Sequence, residues 1–369
     1  MRISGRLNPQ THLLQEKDSM ADDSIKTIDD IMTQAEIEKF DAQWRADVKR
    51  QFISAEQREW FRMRPPARDV LLEYPGQKNA NGEYLDEPQD MLAQGIVGML
   101  AATGGVGKTQ ALVQLALAVA GGTSWLGKFE VCNPGHVAIM LAEESQEEAW
   151  RRFYYATRNL GLIERIPMLE KRIWPLTMHG TSCRFVNPQT GELSRTFVDF
   201  REALLETDVD WRLIILDPAS RLMPMDAELD NLAATEFVAL LESLTTLGRS
   251  KPTVLVAHHT RKQGTGKLGV RGASALTDGV RWLATMSSYG VAQGGGVDPE
   301  GYGRVLFEVH KSNYGPRKVN ARMGFDEHGI LRELTADQLA AESEPASKRS
   351  NGKTSSGSTR LTAQAFDLD

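Results

Sequence analysis

The residues best suited to chemistry lie in one stretch, 99–109, which reads Met-Leu-Ala-Ala-Thr-Gly-Gly-Val-Gly-Lys-Thr. Gly104, Gly105 and Gly107 let backbone N–H groups curl round phosphate oxygens with no Cβ in the way, and Thr103 and Val106 complete the loop. Lys108 supplies a point charge to the β and γ phosphates, and Thr109 offers a hydroxyl to Mg²⁺. The motif in its strict form opens on glycine; Ala102 stands there instead, the smallest available change. An apolar run before the loop (94–100) and a strong helix former after it (110–120) give the strand–loop–helix context that a phosphate-binding loop requires.

Three further strand ends carry reactive side chains. The run 136–141 ends in Ala142, Glu143, Glu144 and Ser145. Acids at the carboxyl end of a buried strand lie where open α/β sheets hold ligands. Either glutamate is placed to polarise the water that attacks the γ-phosphate; equally, both suit the positive N-terminus of the following helix. The run 211–216 ends in Asp217, the pattern of a carboxylate that completes a magnesium shell below a phosphate-binding loop. The run 252–257 ends in His258 and His259. Zinc suits this pair poorly, because neighbours on a strand point to opposite faces. A γ-phosphate sensor suits it better, with at least one of the two a hydrogen-bonded structural histidine. The next loop is glycine-rich and basic, with Arg261, Lys262, Lys267 and Arg271. Directly after a sensor, such a loop suits a grip on a nucleic-acid backbone; the plain alternative is a solvated surface loop.

These residues need a sheet of parallel strands with helices between them. The order strand, loop, helix, alternating strands and helices, and then strands around 280–284, 304–309 and 322–331 predicts an α/β fold. Its core is a mostly parallel sheet with an antiparallel β extension on the C-terminal side. Ahead of it, residues 1–64 form a polar segment, helical from about 25 to 63. Ile28, Ile31, Met32 and Ala35 share one face, and Phe40, Trp44, Val48 and Phe52 continue it loosely. Its own core, a neighbouring subunit and a partner are all candidate packing surfaces. Pro65-Pro66 breaks the helix, so the main domain is assigned to 65–336. Residues 67–94, rich in turn signals, read as a loop or hairpin. A Ser-, Lys- and Gly-rich tail, 337–369, is expected to lack order.

Composition narrows the class. The chain has 369 residues, 41% of them hydrophobic, enough for a sizeable core. No apolar run approaches the roughly 20 residues that span a bilayer, and the start does not resemble a signal peptide. Its 2 cysteines, Cys132 and Cys183, give no disulfide framework and suit a reducing compartment, here the cytoplasm. A net charge of −6 argues against a protein that passively coats nucleic acid, so any such contact is local.

Taken in order, the motifs resemble those of the RecA-like ATPases, and among them the RepA-type plasmid replicative helicases, hexameric rings of the DnaB-like superfamily. The resemblance covers roughly 65–333. It rests on the loop 103–109, Leu-Ala-Glu143, Leu-Asp217, His258-His259, Arg271-Gly-Ala-Ser, Val-Arg281-Trp and Lys311-Ser-Asn-Tyr-Gly315. It implies ATP and Mg²⁺ as cofactors, bound by Lys108, Thr109 and Asp217. It also implies Glu143 as the carboxylate that activates water, and His259, with or without His258, as sensor. Arg281 matches the position of an arginine finger that reaches a neighbouring subunit's ATP, and Arg152 matches a second such arginine. Two departures stand out. Residues 1–64 have no counterpart in compact members, leaving a collar, a loader site or a primase contact open. The 261–272 loop differs in length and sequence.

Two classes of function follow. The first is a homo-hexameric motor that hydrolyses ATP, moves on single-stranded DNA and serves as the replicative helicase of a mobile element, with a primase or replication initiator as partner and no membrane association. The second is an ATP-dependent regulatory or assembly protein on the same fold, binding DNA or a partner without unwinding. A small-molecule kinase is disfavoured, because nothing in the chain suggests an acceptor pocket.

Overall fold

A computed structural model describes residues 42, 45–46, 48–79, 81–187, 190–224, 227, 230–259, 274–289, 303–315 and 319–343. The strands are β1 (Val70–Tyr74), β2 (Gln77–Lys78), β3 (Tyr84–Asp86), β4 (Gln89–Ala93), β5 (Val97–Ala102), β6 (Glu130–Val131), β7 (His136–Leu141), β8 (Ile173–Thr177), β9 (Trp211–Asp217), β10 (Thr253–His259), β11 (Trp282–Tyr289), β12 (Arg304–Ser312), β13 (Asn320–Phe325) and β14 (Leu331–Glu333). The helices are α1 (Lys108–Gly121), α2 (Gln146–Asn159), α3 (Ile166–Arg172), α4 (Arg195–Glu206), α5 (Ala219–Leu222), α6 (Asn231–Leu244), α7 (Ser274–Gly279) and α8 (Ala336–Ser343).

Nine strands form the central sheet in the order β14-β13-β12-β11-β5-β10-β9-β7-β8. The six from β11 to β8 are mutually parallel; β12, β13 and β14 extend the sheet antiparallel, as expected. β5, β7 and β9 are almost wholly apolar because they are covered on both faces. One face packs on α1, whose Leu112, Leu115 and Val119 share a core with Ile139 and Leu255. The other packs on α4 and α6 through Phe197, Leu204, Phe237 and Leu241.

The C-terminal extension is bolted to α1. The buried Gln114 amide donates to Leu331 O at 2.9 Å and accepts from Leu331 N at 3.0 Å. Lys128 pairs with Glu333. Two carbonyls at the C-terminus of α1 are satisfied from a distance, Gly121 O by Arg165 and Ala120 O by Arg172 at 2.9 Å.

Within 67–94 the expected hairpin is present, with β2 antiparallel to β3, and beside it β1 pairs antiparallel with β4 and with β6, from outside the segment, in a separate small three-stranded sheet. Two expectations are corrected. The described part of the N-terminal helix ends at Gln51, and 55–62 are turns, so the helix does not run to 63. Order continues past residue 336 as α8, which starts on a capping box: Thr335 Oγ1 accepts from Gln338 N, and Gln338 Oε1 accepts from Thr335 N. Among the described residues, no helix is long and apolar enough to cross a membrane.

Candidate active site

The site stands at the carboxyl ends of three adjacent parallel strands. β5 leads into the loop, where Gly105 and Gly107 adopt φ +79° and +87°, a left-handed conformation that side chains resist. A Cβ on Gly104 or Gly105 would point into open space, whereas on Gly107 it would overlap the Phe325 ring. Thr103 and Val106 are buried and anchor the loop. α1 then starts on Gly107 with no side-chain cap and no acid in its first turn, leaving its N–H groups and positive end for an anion.

Lys108 is 6% exposed, so its ammonium must be paired. It lies 3.2 Å from Asp217 Oδ1. Thr109 Oγ1 donates to Asp217 Oδ2 at 2.7 Å. One buried carboxylate, the last residue of β9, therefore ties together the lysine and the hydroxyl of the loop. His259 Nε2 lies 3.4 Å from Lys108 Nζ. The pleat separates the two histidines. Leu255 and Ala257 face the α1 side, Val254 and Val256 the other, so odd-numbered His259 reaches Lys108 while His258 is fully buried opposite.

β7 lies beside β9 with Leu141 opposite Asp217, which carries Glu143 to the rim of the same site. Glu143 is exposed, and its carbonyl contacts His179 Nδ1 at 3.0 Å. Glu144 is different: it pairs with Arg152 Nη2 at 2.9 Å. Burial raises its carboxyl above the ordinary value, while Arg152 pulls the other way. The helix N-terminus is served by Ser145, whose hydroxyl accepts from Glu148 N at 3.2 Å. Arg152 is held by Glu144 and by Glu148 at 3.2 Å within its own chain.

Arg281 lies elsewhere. Its N–H donates to Val97 O at 2.8 Å, at the start of β5, and its side chain is exposed. Five strand residues, about 17 Å, separate that level from the loop. Nearby, Lys311 caps α7, donating to Asp278 O at 2.6 Å and Thr277 O at 3.2 Å, and burial lowers its pKa. A Cβ on Gly315 would overlap Asp90 O, so Lys311–Gly315 joins the small sheet to the large one. Arg261, Lys262, Lys267 and Arg271 lie outside the described residues.

Phe325 escaped sequence reasoning: at the end of β13, it lies against the loop from more than 200 positions away in the chain. The sequence singles out Glu144 and Arg152 for separate roles, and the structure pairs them with one another.

The donor set fits ATP and Mg²⁺. The loop is open on its concave side, Lys108 is the buried cation a polyphosphate needs, and Thr109 with Asp217 offers two oxygens 2.7 Å apart to a hard cation. With Mg²⁺ bound there, the phosphate charge is partly neutralised for attack by water.

A phosphate-binding loop on a sheet of this order defines a P-loop ATPase with a RecA-like core. Residues 82–265 match the family model described as AAA domain, which runs through the loop and Asp217 and past the end of β10. The chain thus carries an ATPase domain of the AAA/RecA-like type.

Proposed function

We propose that the chain is an ATP-hydrolysing ring motor that translocates on single-stranded DNA, the replicative helicase of a mobile element working in the cytoplasm. The observation that carries the reading is the placement of Arg281. It stands at the strand-start end of the sheet, about 17 Å from the loop of its own chain, and its side chain is exposed. From there an arginine serves a nucleotide only on a neighbouring copy, and head-to-tail contacts that close give rings.

Within one copy, the glycine loop and Lys108 hold the phosphates, while Thr109 and Asp217 hold the metal. Glu143 accepts the proton of the attacking water, and His259 contacts the γ-phosphate. Arg281 of the next copy stabilises charge on the transferring phosphoryl group, which makes assembly a condition of turnover. Arg152 acts through Glu144, with its guanidinium held in place at the rim. Arg261, Lys262, Lys267 and Arg271, directly downstream of the sensor, contact the DNA backbone. Residues 1–64 contact a primase or replication initiator.

The test is ATP hydrolysis with and without single-stranded DNA, alongside strand separation on a tailed duplex. Strong stimulation and unwinding are expected. Hydrolysis without unwinding would favour the regulatory alternative on the same fold.

A further inference from the structure

β7 and β8 run parallel with Leu141 opposite Thr177, and Met178 N carries the ladder one step further by donating to Leu141 O at 3.1 Å. Past that step the chain leaves β7 and bends toward α2, so the Glu143 carbonyl falls beyond the ladder and needs another donor. A side chain takes that place. His179, two residues after Thr177 and so level with Glu143, sets its Nδ1 3.0 Å from Glu143 O. A carbonyl oxygen only accepts, so Nδ1 carries the hydrogen.

Nothing in the local fold calls for an imidazole at this position. Residues 178–181 form a β-turn in which Thr181 N donates to Met178 O at 3.1 Å and Gly180 takes φ +79°. Such a turn needs glycine at 180 and accepts most residues at 179. His179 is exposed, so its ring contributes little to the core.

The contact fills a gap in a series of bonds along the rim of the ATP site. Ala142 N donates to Asp217 O at 2.8 Å, Glu144 is held by Arg152 at 2.9 Å, and Ser145 caps α2. Glu143 stands between them. Among the described residues, no ion pair or hydrogen bond holds its carboxylate, so the direction of that side chain is set through its backbone.

We propose that His179 is a positioning residue for ATP hydrolysis. By holding Glu143 O it fixes the 143–144 peptide plane, and with it the direction from which the Glu143 carboxylate meets the attacking water. This step rests on the role given to Glu143 above. With the donor removed, the plane is free to turn, and a misplacement of about 1 Å costs up to about 10²-fold in rate. ATP binding belongs to the loop, Lys108, Thr109 and Asp217, and is left as it is.

The test uses the full chain with ATP, Mg²⁺ and single-stranded DNA in a phosphate-release assay, beside fluorescent-nucleotide titration. His179→Ala should lower kcat about 10–100-fold with KM and ATP affinity within about twofold of wild type. His179→Asn should recover most of that loss, because an amide N–H stands close to where Nδ1–H stood. In single turnover, adding His179→Ala to Glu143→Gln should cost less than about twofold more, since the histidine acts through that glutamate. Wild-type turnover in His179→Ala, with Glu143→Gln inactive, would overturn the positioning role and leave Glu143 standing. Equal losses in the alanine and asparagine variants, or losses that multiply in the double variant, would also overturn it. So would a His179→Ala chain that loses ATP binding and melts far below wild type, which would mark a structural role. Wild-type turnover in Glu143→Gln would overturn the role of Glu143 and this inference together.

Discussion

The two ends of the central sheet differ in how their charges are settled. At the carboxyl end of β5, β9 and β10, Lys108, Thr109, Asp217 and His259 satisfy one another within one chain. At the opposite end of β5, Arg281 is anchored through its backbone, with N–H on Val97 O and carbonyl on Asn313 N at 3.0 Å, while its guanidinium is held out to solvent. The first end is a set of partners already brought together. The second is a charge mounted through its backbone and open to solvent. On the proposed function, a protein arranged in this way would bind ATP as a single copy and hydrolyse it only in company.

Substitutions at the two ends should therefore fail differently. Lys108→Ala removes a buried charge-assisted donor worth about 1.5–3 kcal/mol, so ATP affinity should fall about 10–100-fold and hydrolysis to background. Fluorescent-nucleotide titration beside a phosphate-release assay reads both. Arg281→Ala should lower kcat about 10³-fold with ATP affinity within twofold of wild type. A comparable loss of affinity in both variants would erase the distinction between the ends.

The rim of the site sharpens the comparison. Glu143→Gln should cost about 10²–10³ in kcat as a proton acceptor is lost. Glu144→Gln should cost under about tenfold, because that carboxylate is held by Arg152. Equal losses would contradict the roles given to the two neighbours. The smallest effect is one of pH. Burial raises the Glu144 carboxyl, so the folded chain holds its proton to higher pH than the unfolded chain does. Its contribution to stability is thus present at acidic pH and lost as pH rises through the raised value. Glu144→Gln lacks that loss, so its thermal stability relative to wild type should improve between pH 4 and pH 7.

Much of this was legible in the sequence because the loop, Asp217 and His259 all sit at the ends of long apolar runs, where strand periodicity is strongest. Alternation along a strand requires His258 and His259 to face opposite sides, but which of them faces the loop became visible only in the structure. Other features were hidden by local chemistry. β8 contains Pro175, which argues against a strand anywhere but a sheet edge, and the edge is where it lies. β1 and β4 are short and stand apart in the chain, and β1 also pairs with β6 from beyond α1, a contact that no local pattern encodes. The close approach of the Phe325 ring to Gly107 depends on the β13 extension returning over the loop, a purely tertiary fact.

The most direct measurement is a mixing experiment. Lys108→Ala copies retain Arg281, and Arg281→Ala copies retain an intact loop. Each preparation should be inactive alone in a phosphate-release assay. Mixed in equal amounts, they should recover a substantial fraction of wild-type hydrolysis, because intact loops then meet intact arginines from neighbouring copies. No recovery on mixing, with both variants still able to co-assemble, would contradict an ATP site completed by a second copy.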